Sequence, residues 1–509
     1  MVNYQHFNKQ QIMKIIYIYL FLTVITLGFA GCKKDYLSLQ PTDSQTKENF
    51  YKTKAQFQQA INGAYAPLQG IYNGSMWAMA EMRSDNTSYE YDPYDRSATN
   101  KEEIDEFREL NNNDIVESFF NDSYADIQRC NVILARLPSG TIDAASADTI
   151  GGQAYFLRAF NYFNLVRMFG DAPLVLTETQ SVGDAFKTAA KTSVANIYTQ
   201  IIADAQLAVT KLPLRFTAQT DKGRVTKGTA ETMLAEVYMT QKKFDLAIPL
   251  LRSIISSGVY SLNNDYADNF DIKKENGPES IFEIQYIEGP NGLGSDFVDT
   301  FIPWDYYDSD ITGYEIANGA PNGWNIPTQD LVNAYEEGDK RRDASLTDFT
   351  SDEYGIDLPF IKKYQSIGAV QGITGNNFPV YRYSDVYLML AECLNEQGFG
   401  SSDAFRYLNL VRQRAGLDPK SNGNSNPDLN VTTQEQFRAA IAHERQVELA
   451  FENHRWFDLL RTGKAAEVMK AHAASERAYK NDSWQINSAA YSNIRLLFQY
   501  PLNQSNLEH

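Results

Sequence analysis

Apolar residues spaced three and four positions apart recur along most of the chain and predict a largely helical protein. In NFYKTKAQFQQAINGAYAPLQGIY they are Phe50, Phe57, Ile61, Tyr65 and Leu68, which share one face of an amphipathic helix. The same spacing occurs in VESFFNDSYADIQRCNVILARL, GQAYFLRAFNYFNLVRMFG and SVANIYTQIIADAQLAVTKLP. These segments predict four helices in the first half of the chain.

Two later segments predict pairs of helices joined by short turns. TKGTAETMLAEVYMTQKKFDLAIPLLRSIISSG contains a helix, a turn at QKK and a second helix. YSDVYLMLAECLNEQGFGSSDAFRYLNLVRQRAG repeats that order with a glycine-containing turn. Small residues let the paired helices approach closely: Ala230, Ala235 and Ala247 in the first pair, Ala391 and Ala404 in the second. The pattern is that of tetratricopeptide-like hairpins, but its period is degenerate. We therefore expect a few hairpins stacked in one layer rather than a regular solenoid.

Between these pairs, residues 263–378 form a loop-rich insert of different composition. Gly, Pro, Asn, Asp and aromatic residues dominate it, and only ESIFEIQYI predicts a strand. Residues 74–100 and 474–509 are similar and shorter. Irregular segments of this length are uncommon unless they are functional. The predicted fold class is mainly α, with tetratricopeptide-like helical hairpins supporting a loop-rich, irregular ligand-binding face with little β structure.

The N-terminus has the pattern of an export signal. A lysine precedes IIYIYLFLTVITLGFA, an uncharged run shorter than the roughly 20 residues of a membrane span. Residues 1–31 are predicted to be a lipoprotein signal peptide, with Met13 as the candidate true start. Small residues precede Cys32 in FAGC, which favours lipidation of Cys32 as the first mature residue; ordinary cleavage nearby would leave it a free thiol. Residues 32–45 are predicted to be a tether, and 46–509 a single domain.

Composition and charge narrow the classes of partner. Of 509 residues, 43% are hydrophobic and 13% aromatic, which is typical of a folded protein. The 46 basic and 64 acidic residues give a net charge of −18, which disfavours binding to nucleic acid or anionic lipid. Cys130 and Cys393 lie in helical patterns; they could pair, but buried thiols are the favoured interpretation.

The motifs of common enzyme classes are missing. HERQV begins like a zinc-protease helix, but Val447 stands where the second histidine is needed. The chain has no Gly-x-Ser-x-Gly, no Walker loop, and no Gly-x-Gly-x-x-Gly after a strand. No catalytic residue, metal ligand or cofactor is predicted. DYYDSDITGY contains Asp305, Asp308 and Asp310, which give weak support for a structural calcium ion because the EF-hand spacing is absent.

Three glutamates lie four residues apart on one predicted helix face: Glu444, Glu448 and Glu452. Glycosidases use two carboxylates that face each other across a sugar bond, whereas these stand side by side. Three stacked like charges require counter-charges. The favoured interpretation is a structural ion-pair network. The candidate counter-charges are Arg445, Arg455, Arg461, Arg412 and Arg414.

The chain resembles the SusD/RagB-like outer-membrane lipoproteins, the nutrient-binding partners of SusC-like TonB-dependent transporters. The resemblance covers nearly the whole mature chain and rests on an ordered set of segments. These are CKKDYLSLQP, FYKTKAQFQQAINGAY, YADIQRCNVILARL, RAFNYFNLVRMFGDAPLV, LAEVYMTQKKFDLAIPLLRSIISSGVYSL, GWNIPTQDLVNAYEEGDKRRDASL, YRYSDVYLMLAECLNEQG, NLVRQRAGL and ERQVELAFENHRWFDLLRTGK. The family pattern continues past a segment like FQYPLNQSNLEH with an Asn-Pro stretch ending in Tyr. This sequence stops at His509, which indicates truncation or appended residues.

The resemblance implies four tetratricopeptide-like hairpins and an outer-leaflet lipoprotein that faces the cell exterior and closes like a lid over a β-barrel transporter. It also implies non-catalytic binding of oligosaccharide or polysaccharide through aromatic platforms on the loops. Three alternatives stay open. They are binding of a peptide or another nutrient in the same complex, a surface glycosidase, and a protein–protein scaffold that uses the hairpin faces.

Candidate ligand-binding residues follow from the chemistry of sugars, which present apolar C–H faces and polar edges. Flat aromatic rings suit the faces, and amides, carboxylates or arginine suit the hydroxyls. The best match in the insert is Trp304, Tyr306, Tyr307, Tyr314 and Trp324. The early loop offers Trp77, Arg83, Asp85, Asn86, Tyr89, Tyr91 and Tyr94. The competing interpretation is that each aromatic fills a gap beneath its own loop, and Trp456 is predicted to be core.

Overall fold

Long helices packed side by side form the framework of the fold. The computed structural model describes residues 13, 14, 16, 50–289, 293–308, 311, 322–366, 372–480, 484 and 486–505. The chain divides into two compact units, Met1–Thr53 and Lys54–His509, and the elements below belong to the second. Cys32 and the predicted tether lie outside the described residues. No helix within the described ranges is long and apolar enough to cross a membrane.

Eight helices in the described part of this unit precede the insert. They are α1 Lys54–Gly70, α2 Thr99–Asp105, α3 Asp114–Arg136, α4 Ala144–Phe169, α5 Val182–Thr188, α6 Val194–Lys211, α7 Lys227–Thr240 and α8 Phe244–Ser256. Two π-helical turns, Ile71–Ser75 and Trp77–Glu81, extend α1. Side chains cap the orphan backbone N–H groups at several N-termini, such as Asn113 before α3 and Asp143 before α4.

Nine helices follow, the first three of them short elements of the insert. They are α9 Phe297–Thr300, α10 Gln329–Val332, α11 Lys340–Ser345, α12 Tyr383–Gln397, α13 Ser402–Arg414, α14 Gln434–Glu448, α15 Arg455–Thr462, α16 Ala465–Tyr479 and α17 Leu502–Ser505. The described residues also contain short 3-10 turns. These are Leu137–Ser139, Gln219–Asp221, Tyr266–Asn269 and Pro427–Leu429.

The long helices pack as one continuous layer. Each helix packs on the next in the series α1, α3, α4, α6, α7, α8 and α12. Helix α12 also packs on α13 and α14. The two predicted hairpins, α7 with α8 and α12 with α13, are confirmed. Their small residues are buried, so the helix backbones can approach closely. Of the described residues, 54% are helical and 7% lie in strands, which confirms the predicted mainly-α class.

Strands are few and short. They are β1 Thr87–Ser88, β2 Ala172–Pro173, β3 Lys191–Thr192, β4 Ser280–Ile284, β5 Ile326–Pro327, β6 Leu346–Thr347, β7 Thr350–Ser351, β8 Ile356–Asp357, β9 Phe360–Ile361 and β10 Phe378–Arg382. Within the described residues they form antiparallel pairs: β1–β5, β2–β3, β4–β10, β6–β9 and β7–β8. Strand β4 confirms the prediction for ESIFEIQYI. Two-residue strands show no alternation, so the sequence pattern missed them.

The three glutamates lie in a buried ion-pair network, as predicted, but they do not share one helix face: α14 ends at Glu448, and Glu452 lies in the turn that follows. Glu444 pairs with Arg341 and Arg412; Glu448 with Arg341, Arg382 and Arg414; Glu452 with Arg382 and Lys363. Of the expected counter-charges, Arg412 and Arg414 join the network. The others bind elsewhere: Arg445 to Asp385, Arg455 to Asp85 and Arg461 to Glu392. The network ties α14 to α11, β10 and the insert.

Three predictions about the core are confirmed. Cys130 and Cys393 are buried free thiols, and burial raises the pKa of each. Trp456 is also fully buried, and its ring packs edge-on against Phe107 with centroids 5.7 Å apart. Neither cysteine therefore has the low pKa and exposure of a reactive thiol.

Candidate functional site

Three loop segments that are distant in sequence lie side by side through backbone hydrogen bonds. The N–H of Gly323 donates to the carbonyl of Ile302 at 2.9 Å, and that of Trp324 to Thr300 at 3.1 Å. The N–H of Glu90 donates to the carbonyl of Gly323 at 2.6 Å. Next to them, β1 pairs with β5. These bonds join the early loop to the insert and form the base of a cleft.

The cleft has a volume of about 460 Å³, which is within the usual range for small-ligand sites. Its lining consists of Glu90, Asp92, Tyr94, Asp95, Ser97, Ala98, Lys101, Glu102, Trp304, Tyr307, Asn322 and Trp324. Another cleft, of about 330 Å³, is lined by residues such as Tyr65, Gln69 and Phe282. Phe282 is buried, Tyr65 is half-buried with its hydroxyl already hydrogen-bonded to Gln153, and neither ring is as exposed as Tyr94 or Tyr307 in the first cleft. The first cleft is therefore the candidate site.

Trp304 is held rigidly in the wall of this cleft. Its backbone N–H donates to Glu90 Oε2 at 2.6 Å, and its indole Nε1–H donates to the carbonyl of Tyr91 at 3.2 Å. The rings of Tyr94 and Tyr354 meet it edge-on, with centroids 5.7 and 6.4 Å away. A half-buried ring fixed in this way needs little ordering when a ligand binds.

Two tyrosines at the rim are unusually exposed for aromatic residues. Tyr94 is 77% exposed and Tyr307 is 56% exposed. A turn capped by Asp92 presents Tyr94: Asp92 Oδ1 accepts the N–H of Tyr94 at 2.7 Å and that of Asp95 at 3.0 Å. Together with Trp304, these rings offer flat apolar faces and polar tips at the mouth of the cleft.

Aromatic rings and one lysine form the floor. Trp324 is 7% exposed, and its ring centroid lies 6.2 Å from that of Tyr89. The ammonium of Lys101 lies 4.9 Å from the Trp324 ring and 5.7 Å from the Trp77 ring, which are cation–π distances. Burial lowers the pKa of Lys101, although Asp296 and other acids attract its charge.

Glu90 supports the wall from below. Burial raises its pKa well above the usual range, and the neighbouring carboxylate of Asp305 raises it further. Glu90 Oε1 and Asp305 Oδ1 accept no hydrogen bond from any described residue. Glu90 therefore holds the wall in place by accepting the N–H of Trp304.

The structure brings together part of the predicted insert site. Trp304, Tyr307 and Trp324 line the same cleft. The ring of Tyr306 instead packs against Phe349 and Phe360, with centroids 5.3 and 5.0 Å away. Tyr314 lies outside the described residues.

Five of the predicted binding residues in the early loop bond to other residues of the protein and do not line the cleft. The hydrogen bonds and ion pairs are Trp77 with Asn73, Arg83 with Glu109, Asp85 with Arg455, Asn86 with Glu81, and Tyr89 with Glu106. All five are buried. In a loop without periodicity, the sequence does not show which side faces inward. Of this loop's aromatics, Tyr94 is the one that lines the cleft.

Several lining residues were missed by sequence reasoning, namely Glu90, Asp92, Asp95, Lys101, Glu102 and Asn322. The signal available was the density of acids and tyrosines in YEYDPYDRS. For the weak calcium prediction, Asp305 accepts the hydroxyl of Ser351 at 2.5 Å, and Asp310 lies outside the described residues. In the part of the chain that the structure describes, no three His, Cys, Asp or Glu residues are grouped to hold a metal ion. The calcium ion stays a prediction.

Asp105 ends α2, the helix that carries Lys101. Its Oδ2 accepts hydrogen bonds from the hydroxyls of Ser88 and Tyr491, both at 3.1 Å, and burial raises its pKa to about 7. An unfolded aspartate titrates near 3.9. The folded state therefore loses stability as the pH rises from about 4 through 7.

Asp105→Asn keeps the hydrogen-bond acceptor and removes the charge. Between pH 4.5 and 8, we expect its free energy of unfolding to rise relative to that of wild type by up to about 4 kcal/mol. Urea denaturation at several pH values measures this gain. Asp403→Asn on α13 replaces an exposed aspartate paired with Arg406 and should show no such trend. A pH-independent difference for Asp105→Asn would contradict the assignment.

Two family profiles and several known proteins match the chain. The SusD family profile matches residues 359–508, and a profile described as "starch-binding associating with outer membrane" matches residues 35–239. A SusD-like protein of Formosa agariphila is 31% identical over 492 residues, covering 89% of this chain and 91% of that protein.

Solved structures show the same architecture. Surface glycan-binding protein A from Bacteroides uniformis has a TM-score of 0.71 at 26% identity, covering 85% of this chain and 94% of that one. A structure named "Laminarin binding SusD-like protein" has a TM-score of 0.73 at 24% identity, covering 90% and 98%. The extent of these matches, together with the helical layer, confirms the resemblance seen in the sequence. The chain belongs to the SusD/RagB-like family.

Proposed function

We propose that this protein binds an oligosaccharide or polysaccharide in the cleft at Trp304 and delivers it, without catalysis, to a partner SusC-like TonB-dependent outer-membrane transporter. The observation that carries the proposal is the immobilised Trp304 ring beside the exposed rings of Tyr94 and Tyr307. The names of two similar structures, one glycan-binding and one laminarin-binding, support the same ligand class.

The cleft has the groups that a sugar requires. The C–H face of a pyranose ring can stack on Trp304 or Tyr307. Hydroxyls can donate to the carboxylates of Asp92 and Asp95, and Lys101 can donate to a hydroxyl at the floor. Because the rings are exposed and open to one side, an extended chain fits better than a fully enclosed small molecule.

The proposed location is the outer membrane, with the protein anchored by lipid on Cys32 and facing the cell exterior. The FAGC signal and the outer-membrane description of the matching profile support this location. Mass spectrometry of the mature N-terminus should find acyl chains on Cys32, and Cys32→Ser should release the protein from the membrane fraction. Co-purification of the anchored protein with a β-barrel transporter tests the partnership.

Absence of catalysis is part of the proposal. The stacked glutamates that could suggest a glycosidase are all buried in ion pairs. The purified protein should release no reducing sugar from any polysaccharide it binds. Release of sugar would favour the glycosidase alternative.

Isothermal titration of the mature protein tests the binding function. The panel should contain laminarin, starch, xylan, galactan and mannan, with a mixture of peptides as the alternative ligand. Binding of at least one polysaccharide supports the proposal. Binding of peptides alone would replace it with peptide capture, and failure of both ligand classes would overturn it.

Gly323 gives a specific test of the cleft wall. It has φ +64°, and a Cβ there would lie 2.8 Å from Glu90 Cβ and Oε2, which support Trp304. We expect Gly323→Ala to displace this wall and weaken glycan binding roughly tenfold, because the platform is no longer preorganised. Gly463→Ala is the matched control, since Gly463 has φ +73° with nothing within 4 Å. Equal affinities of the two variants would contradict the role of the wall.

A further inference from the structure

The cations near the cleft are already engaged. Arg96 makes two hydrogen bonds of 2.6 Å to the carboxylate of Glu102, and its guanidinium lies 4.3 Å from the centroid of the Tyr91 ring. A bidentate pair of this kind satisfies both charges. An anionic ligand at this edge of Arg96 would therefore have to compete with Glu102.

Lys101 is the cation that lines the cleft, and its position weakens it as an anion site. It lies at the floor, against the rings of Trp324 and Trp77. Burial lowers its pKa, and the carboxylates of Asp296 and Asp114 already attract its charge. An anion reaching Lys101 would have to pass the acidic rim and lose its hydration.

The rim of the cleft carries two aspartates, Asp92 and Asp95. Asp95 is exposed, and the N–H of Ser97 donates to its Oδ1 at 2.8 Å, which lowers the pKa of Asp95. Asp92 uses Oδ1 to hold the turn that presents Tyr94. No described residue donates a hydrogen bond to Oδ2 of Asp92, and the carboxylate of Asp95 is exposed, so both groups can accept hydrogen bonds from sugar hydroxyls.

The overall charge of the chain is also unfavourable for an anionic ligand. The whole chain carries a net charge of −18. Both the rim and the overall field therefore repel polyanions.

We propose that the cleft selects uncharged glycans and rejects glycans that carry sulfate or carboxylate groups. This selectivity rests on the glycan-binding function proposed above. The sugar is held by stacking and by hydroxyl donors to Asp92 and Asp95, which an anionic substituent nearby would oppose. Like-charge contact gives specificity by repulsion rather than by added attraction.

Matched pairs of ligands test this selectivity. Whichever of laminarin, starch, xylan, galactan and mannan binds is compared with its own sulfated derivative by isothermal titration. At 10 mM salt, we expect the sulfated form to bind at least about tenfold more weakly. The difference should shrink at 0.5 M salt, because the Debye length falls from about 30 Å to a few ångströms.

The double variant Asp92→Asn, Asp95→Asn tests whether the charge of the rim causes the weaker binding of the sulfated glycan. Asparagine keeps the amide oxygen that accepts the backbone N–H groups of the turn. We expect the double variant to bind the sulfated form several-fold more tightly than wild type does, while Asp403→Asn leaves the discrimination unchanged.

The outcomes distinguish the two proposals. Equal or tighter binding of the sulfated form by wild type would overturn the selectivity and leave glycan binding intact. Unchanged discrimination in the double variant would overturn the assignment to the rim. Failure of every polysaccharide, charged or uncharged, would overturn the proposed function and the selectivity with it.

Discussion

Replacing Trp304 with alanine is expected to weaken glycan binding at least about 30-fold, the largest loss for any single residue of the cleft. A rigid, centrally placed tryptophan is the typical hot spot of a binding surface and contributes about 2 kcal/mol or more when truncated. Trp304 is fixed at its backbone by Glu90 and at its indole by Tyr91, and it touches Tyr94 at the rim. Isothermal titration with the polysaccharide that binds wild type measures the loss.

Tyr306→Ala is the matched control for this variant. Tyr306 lies two residues away and is also aromatic, but its ring packs against Phe349 and Phe360 instead of lining the cleft. We expect Tyr306→Ala to lower the free energy of unfolding and to leave the affinity nearly unchanged. If Tyr306→Ala abolished binding while Trp304→Ala did not, the cleft would be the wrong site.

Replacing Arg382 with methionine is expected to lower the free energy of unfolding by about 3–5 kcal/mol. Arg382 is fully buried on β10, and its guanidinium binds Glu279, Glu448 and Glu452 at 2.7–2.9 Å. Its removal leaves buried carboxylates without a counter-charge. Urea denaturation at pH 7 measures the loss.

Arg438→Met is the surface counterpart of this change. Arg438 is 42% exposed and makes a bidentate pair with Glu396 at 2.6 and 2.8 Å. Exposed pairs contribute less than about 1 kcal/mol, so a small effect is expected there. A comparable loss in the two variants would show that the buried network contributes no more to stability than an exposed ion pair.

The pH dependence of the Arg382→Met defect has a predicted sign. Burial alone would raise the pKa of Glu452, but the charges of Arg382 and Lys363 outweigh burial and lower it. The stabilisation from this pairing is therefore present above about pH 4.3, the unfolded value for glutamate, and is lost as the pH falls below it. The defect of Arg382→Met should accordingly shrink under acid conditions.

Local sequence determined the helices, because each depends on interactions within about four residues. The three-and-four spacing that begins at Phe57 locates α1, and the small residues Ala230 and Ala391 mark two of the close helix packings. The glutamates of α14 were recognised as a paired network for the same reason. Their partners Arg341 and Arg382 were not, since both come from distant segments.

The site was predicted in part. Trp304, Tyr307 and Trp324 lie within 21 residues of one another, and the aromatic density of the insert identified them. Their neighbours in space come from about 200 residues earlier: Glu90 holds Trp304, and Tyr94 meets its ring. The sequence treated Tyr89 and Tyr94 alike, yet Tyr89 is buried and Tyr94 is 77% exposed.

The sequence by itself determined the helical class, the hairpins and the family. Only the tertiary structure decided which loop aromatics face the cleft and which charges surround them. The reason is physical. A helix repeats its environment every few residues, so periodicity reveals its buried face. An irregular loop has no repeat, and each side chain takes the side left to it by contacts such as β1 with β5 and Glu90 with Gly323.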